Sequence, residues 1–160
     1  MAHTMTSGHT VRTLHARYNR IHGFEARMSG GTLYTLARAI HLVIVDREVG
    51  VQVRDDMRRR TMRTPILATR GMVRWMFVVR PDIRIDEHRD LQARLSRPPM
   101  CGRVSITQPG QYFTLPTPGN NRRYWIEEPV DRDRSPLTKI LNFAQNAQTL
   151  LDKNRTAWFD

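Results

Sequence analysis

Apolar residues gather most densely between positions 32 and 86. Ile40-His41-Leu42-Val43-Ile44-Val45 is apolar or β-branched at nearly every step, the pattern of a strand buried on both faces and central in its sheet. Gly50 then breaks the chain, and 51–60 reads as a short charged helix with Val53 and Met57 on one side. Residues 62–67 read as extended, with Pro65 placing them at a strand end or a sheet edge, because proline cannot donate to a ladder. Thr69 is positioned to cap a helix beginning at Arg70, whose apolar stripe is Met72, Val73 and Met76. Residues 77–85 alternate loosely as a third strand, with Phe77, Val79, Ile83 and Ile85 set against Arg80, Asp82 and Arg84. The expected fold class is α+β: a β-α-β-α-β unit with a three-stranded antiparallel sheet and two helices on one face.

The flanks differ in texture. Residues 1–31 are polar and basic, ending at Ser29-Gly30-Gly31, and read as an N-terminal extension. With Arg12, Arg17, Arg20 and Arg27 against the single acid Glu25, this segment suits either a nucleic-acid-binding arm or a mitochondrial targeting sequence. Residues 87–160 read as a C-terminal extension punctuated by Pro98-Pro99, Pro109-Gly110 and the Pro/Gly/Asn run at 116–121. Within it, 104–115 fits a hairpin around Gln108-Pro109-Gly110, or an irregular segment lying on a partner. Ser135 caps an expected helix over 136–153, with Pro136 at its first position and Leu137, Ile140, Leu141, Ala144, Ala147, Leu150 and Leu151 at helical spacing. The amides Asn142, Gln145, Asn146 and Gln148 on its polar face point to contact with RNA or protein, beside the simpler reading of an ordinary amphipathic helix.

Charge narrows the function classes. The formal net charge of the 160 residues is +11, and all 26 basic residues except Lys139 and Lys153 are arginines. Arginine presents a planar fork that grips phosphate bidentately and stacks on bases. A GC-rich genome also raises arginine over lysine, but the charge excess itself calls for a polyanionic partner. One cysteine, Cys101, excludes a disulfide framework and a cysteine-rich zinc site, and suits a reducing compartment. No apolar run reaches membrane-spanning length.

Candidate chemistry points to binding and away from catalysis. The histidines (His3, His9, His15, His22, His41, His88) match no metal-ligand spacing. Asp55-Asp56 and Glu127-Glu128 are paired carboxylates, yet each pair lies beside arginines and reads as an ion-pairing surface. There is no phosphate loop, nucleophile elbow or Cys-His pairing, so no catalytic residue, metal, cofactor or small-molecule substrate is expected. The arginines Arg54, Arg58, Arg59, Arg60, Arg63, Arg70, Arg74, Arg80 and Arg84 crowd one stretch against few acids. Arg70 and Arg74, four apart on the expected helix, would share one face, and Arg70 would sit among the free backbone donors of its first turn. RNA binding is therefore expected at Arg54, Arg58, Arg59, Arg60, Arg63, Arg70, Arg74 and Arg80. Trp75, Tyr34, Tyr112, Trp125 and Trp158 are available either to stack on bases or to pack.

Several of these short motifs occur together in one family. Met57-Arg58-Arg59, Arg70-Gly71-Met72-Val73 and Phe77-Val78-Val79-Arg80, with Ile40 to Val45 ahead of them, resemble large-subunit ribosomal protein number thirty of bacteria and organelles. The resemblance covers 39–85. It departs from the family where Asp56 replaces a glycine before the Leu-Arg-Arg element, where the following link is shorter, and where the Thr-Pro is displaced. The flanking extensions resemble those of mitochondrial ribosomal proteins. The resemblance implies a non-enzymatic constituent of the large ribosomal subunit in the mitochondrial matrix. There Arg58, Arg59, Arg70 and Arg74 would contact ribosomal RNA, and the extensions would contact neighbouring ribosomal proteins. The rival readings are an accessory subunit of another mitochondrial assembly, and a small viral RNA-packaging capsid protein, which would need about eight strands.

Overall fold

The computed structural model describes residues 7–157, with side chains from Thr10 onward; His3, the His9 side chain and Trp158 lie outside the described residues. In chain order the elements are α1 (Ser7–Arg20), β1 (Arg27–Ser29), β2 (Thr32–Leu36), β3 (His41–Asp46), α2 (Arg47–Arg59) and β4 (Ile66–Thr69). They continue with β5 (Arg74–Val79), α3 (Ile85–Leu95), β6 (Val104–Ile106), β7 (Tyr112–Thr114), β8 (Arg123–Glu127) and α4 (Leu137–Thr156). The strands form two antiparallel sheets, a five-stranded one in the order β6-β3-β5-β4-β8 and a three-stranded one in the order β1-β2-β7. The fold is α+β. From β3 to β6 the chain runs β-α-β-β-α-β, a split β-α-β arrangement to which β8 adds an outer strand.

β3 lies between β5 and β6, and its alternate residues feed two separate cores. Val43 and Val45 join Trp75, Phe77, Ile66 and Ala68 beneath α2, α3 and α4. Leu42 joins Leu67, Met76 and Val78 on the other face, where α1 and the smaller sheet cover them with Val11, Tyr18, Phe24, Leu33, Phe113 and Leu115. Residues 1–31 and 87–160 are thus not appendages where they are described. α1 closes one face of the central sheet, β6 and β8 extend it, and α4 packs on the other face.

The expected helix at Arg70 does not form. Arg70–Met72 is a single 3-10 turn in which Gly71 has φ +79°, followed by Met72 at +55°, so the chain reverses and β4 and β5 make a hairpin. Trp75 to Val79 is buried at every position because the sheet is covered on both sides. That leaves Arg74 to Met76 without the alternation that marks a strand, although the strand expected from Phe77 is present as far as Val79. Burying each large apolar side chain contributes about 1.5–3 kcal/mol, whereas helix propensities differ by no more than about 0.7 kcal/mol between ordinary residues, so tertiary burial decides. Strand β5 therefore starts at Arg74 and ends at Val79. Ile85, expected to end a strand, instead opens α3, where the Glu87 carboxylate accepts the Arg84 N–H at 2.7 Å and His88, Leu91 and Leu95 face inward.

Three further expectations change. Gly50 is no break: it sits inside α2, and a Cβ there would come within 2.7 Å of the Trp75 ring. Strands β6 and β7 do form within 104–115, but β6 pairs with β3 and β7 with β2, so they are not a hairpin. Val104 and Ile106 belong to the helix-side core while Phe113 belongs to the other, and the chain crosses between sheets to bury both sets. Helix α4 is present, but Ser135 does not cap it. The Ser135 hydroxyl donates to the Arg63 carbonyl at 3.0 Å, and the Thr138 N–H donates to Asp82 Oδ1 at 3.0 Å, with the Thr138 hydroxyl bonded to Asp82 Oδ2. Leu150 faces solvent, and Gln148 is buried, donating to Asp152 Oδ1 at 3.0 Å.

Candidate nucleic-acid interface

The eight arginines expected to bind RNA do not form one face. The C-terminal half of α2 and the adjoining strand ends bring Arg54, Arg58, Arg63 and Arg80 around a cleft of ≈ 990 Å³, together with Arg134. Glu127, Glu128, Asp131 and Asp133 line the same cleft. Arg58 Nη2 lies 2.5 Å from Glu127 Oε1. Arg54 rests 5.1 Å from the centroid of Trp75, and Arg134 rests 4.9 Å from that of Phe24 and donates to the His22 carbonyl. Burial, together with nearby Arg132, pushes the Arg134 pKa down. The cleft is of mixed charge, and much of its arginine serves to tie α2, β8 and the 129–135 segment together.

Other members of the set are also held within the protein. Arg59 pairs with Asp56 on its own helix. Arg60 lies 5.3 Å from the Phe143 ring centroid, which docks α2 against α4. Arg74 Nε lies 3.3 Å from Asp46 Oδ1, and its Nη2 donates to the Gly102 carbonyl at 2.9 Å. With a hairpin in place of a helix, Arg70 and Arg74 do not share a helical face. Arg70 projects at the β4–β5 turn, at the opposite end of the sheet from Arg80.

There the structure assembles a site that sequence reasoning missed. Arg70, Arg12 from α1 and Arg122 just before β8 line an open groove of ≈ 860 Å³ with Asn120, Asn121, Thr32 and Thr114. All three arginines are exposed, and among the described residues no Asp or Glu lines the groove. Its lining is prearranged: Asn120 Nδ2 donates to Thr32 Oγ1 at 3.1 Å and Asn120 Oδ1 accepts the Arg122 N–H at 3.1 Å, while next to them in the chain Thr117 Oγ1 accepts the Leu33 N–H at 3.0 Å. Three exposed guanidinium forks lining one groove, with no carboxylate partner among the described residues, are suited to phosphate oxygens. In sequence, Arg12 belonged to an arm and Arg122 stood near Glu127-Glu128. Nothing local signals that α1 and the β1–β2 hairpin bring them to Arg70.

The stacking candidates divide in the same way. Trp75 is buried, and Trp125 stacks on Phe24 at 5.9 Å while its Nε1 donates to the Tyr18 hydroxyl at 3.0 Å. Tyr18 is itself buried, which pushes its pKa up to about 12. Tyr34 and Tyr112 stay at the surface as a pair with centroids 5.5 Å apart. Among the described residues no group of three His, Cys, Asp or Glu side chains is placed to hold a metal ion, and no helix is long and apolar enough to cross a membrane. No family model matches the chain, and neither does any curated protein or solved structure.

Proposed function

We propose that this chain is a non-enzymatic nucleic-acid-binding protein that holds a sugar–phosphate backbone in the groove of Arg12, Arg70 and Arg122. The observation that carries the reading is the carboxylate-free lining of that groove, in a molecule whose formal charge is +11. A merely solvated surface would interleave acids, as the cleft on the opposite end of the sheet does. The large-ribosomal-subunit form of the reading asks for a helix at Arg70-Gly71-Met72, where this chain makes a turn and a strand. The groove therefore supports the proposal better than the family resemblance does, and ribosomal RNA in a mitochondrial ribosome is one setting for it.

Each phosphate neutralised by arginine releases counterions, so affinity should fall steeply with salt. The logarithmic slope is about −0.7 per contact on single strands and about −0.9 on B-form duplex. Replacing Arg12, Arg70 or Arg122 singly by Ala should lower that slope by about one contact each, measured by anisotropy of labelled RNA across a salt series. Arg63→Ala and Arg80→Ala should leave it unchanged. The reverse pattern would move the interface to the mixed-charge cleft, and salt-independent binding would overturn the proposal. Co-sedimentation with ribosomal RNA that nuclease abolishes would favour the ribosomal setting.

A further inference from the structure

The arginine groove runs onto an aromatic surface. In the smaller sheet, Leu33, Thr35 and Phe113 point inward and are buried, while Thr32, Tyr34 and Leu36 on β2 and Tyr112 and Thr114 on β7 make up the outer face. Thr32 and Thr114 line the groove. Tyr34 and Tyr112 each stand two residues from one of them on the same face, about 7 Å along the strand. The register sets Tyr34 opposite Thr114 on one side and opposite Arg27 on the other, with Tyr112 opposite Leu36 in the next rank. The two rings meet edge to face at 63°, and Tyr112 is 63% exposed. A large aromatic ring so exposed, beside a groove lined by exposed arginines, has a use that packing does not supply.

We infer that the groove and this aromatic face together hold a single-stranded polynucleotide, its backbone passing Arg12, Arg70 and Arg122 and its unpaired bases stacking on Tyr112 and Tyr34. The inference rests on the phosphate-binding reading of the groove and specifies its ligand. A duplex offers the same phosphates, but its bases are already paired and stacked and cannot lie on a ring. A single strand offers both, and stacking of this kind is tolerant of sequence because every base has a π-face. Arg27, exposed beside Tyr34, adds a further cation at the outer margin.

The test compares the full chain binding four labelled probes of equal length by fluorescence anisotropy: oligo(U), oligo(dT), a DNA duplex and an abasic strand, with poly-glutamate as competitor. Both base-bearing strands should bind about tenfold tighter than the duplex or the abasic strand, and poly-glutamate should compete poorly. Tyr112→Ala should cost the base-bearing strands about tenfold and leave abasic and duplex binding unchanged, as expected for one stacked base. Tyr112→Phe should retain wild-type binding, and melting curves check that both variants fold. If the abasic strand binds as well as oligo(U), or Tyr112→Ala alters only the melting temperature, the tyrosines are a cross-strand contact and the inference falls while the phosphate groove stands. Equal binding of poly-glutamate would replace a nucleic acid with a protein partner, and failure of every polyanion would overturn both readings.

Discussion

His41 on β3 and His88 on α3 lie with ring centroids 5.0 Å apart, both buried, at the point where α3 closes over the sheet. His41 Nδ1 is 3.1 Å from Thr107 Oγ1, whereas the ring nitrogens of His88 are buried without a well-formed hydrogen bond among the described residues. Burial holds both pKa values below the ordinary histidine value, and for His41 the neighbouring His88 adds to the effect. In the unfolded chain both titrate near 6.5. Stability is therefore fully present above about pH 6.5. It falls at lower pH, where the unfolded chain takes up protons that the folded one refuses until the pH passes the lowered values. Urea titrations across this range should show a loss of about 1.4 kcal/mol per pH unit for each proton taken up. His88→Leu should make the loss shallower, with buried His22, whose pKa is also lowered, still contributing. No local pattern marks this pair. Its partners are 47 positions apart, and their proximity depends on α3, most of which falls in the stretch that reads as a C-terminal extension.

At the scale of elements, α4 shows how far a local signal reaches. Its apolar spacing made the helix legible, since Leu137, Ile140, Leu141, Ala144 and Ala147 are all buried. Its start is held by groups far from it in sequence: the Leu137 N–H donates to the Arg80 carbonyl at 2.9 Å and the Thr138 N–H to Asp82 Oδ1, both delivered by the chain just after β5. Asp82 also places a negative charge at the positive end of the helix. Asp82→Ala should cost about 1 kcal/mol, as the loss of a helix cap does, read in a thermal melt as a Tm lower by about 2–4 °C. The strands divide by the same logic. β3 was legible because a solid run of β-branched residues has few other uses. β5 was legible only from Phe77 onward, because Arg74 to Met76, preceded by Thr69 and continuing the stripe of Met72 and Val73, satisfies a helix pattern as well. Only knowing that both faces of the sheet are covered separates the two.

For the whole molecule, the division into 1–31, 32–86 and 87–160 has a measurable consequence. The middle stretch lacks β6, β8 and α4, and without them β3 and β4 become edges and the helix-side core loses Leu137, Ile140 and Ala144. A fragment of 32–86 alone should show little tertiary signal. The full chain should unfold in one transition in which far-ultraviolet circular dichroism and tryptophan fluorescence coincide. Function was less legible than architecture at this scale. The charge excess points to a polyanion, but the arginines of the proposed groove come from α1, the β4–β5 turn and the segment before β8, separated by long stretches of chain. The layer formed by α1 and the smaller sheet acts as a roof over a face that a half-open sheet would leave for ligands. Tyr34, Tyr112, Arg12 and Arg122 stand on or beside that roof, away from the frame beneath it. Under the proposed function, substitutions at these four positions should change binding, residue by residue, without loosening what holds the fold up.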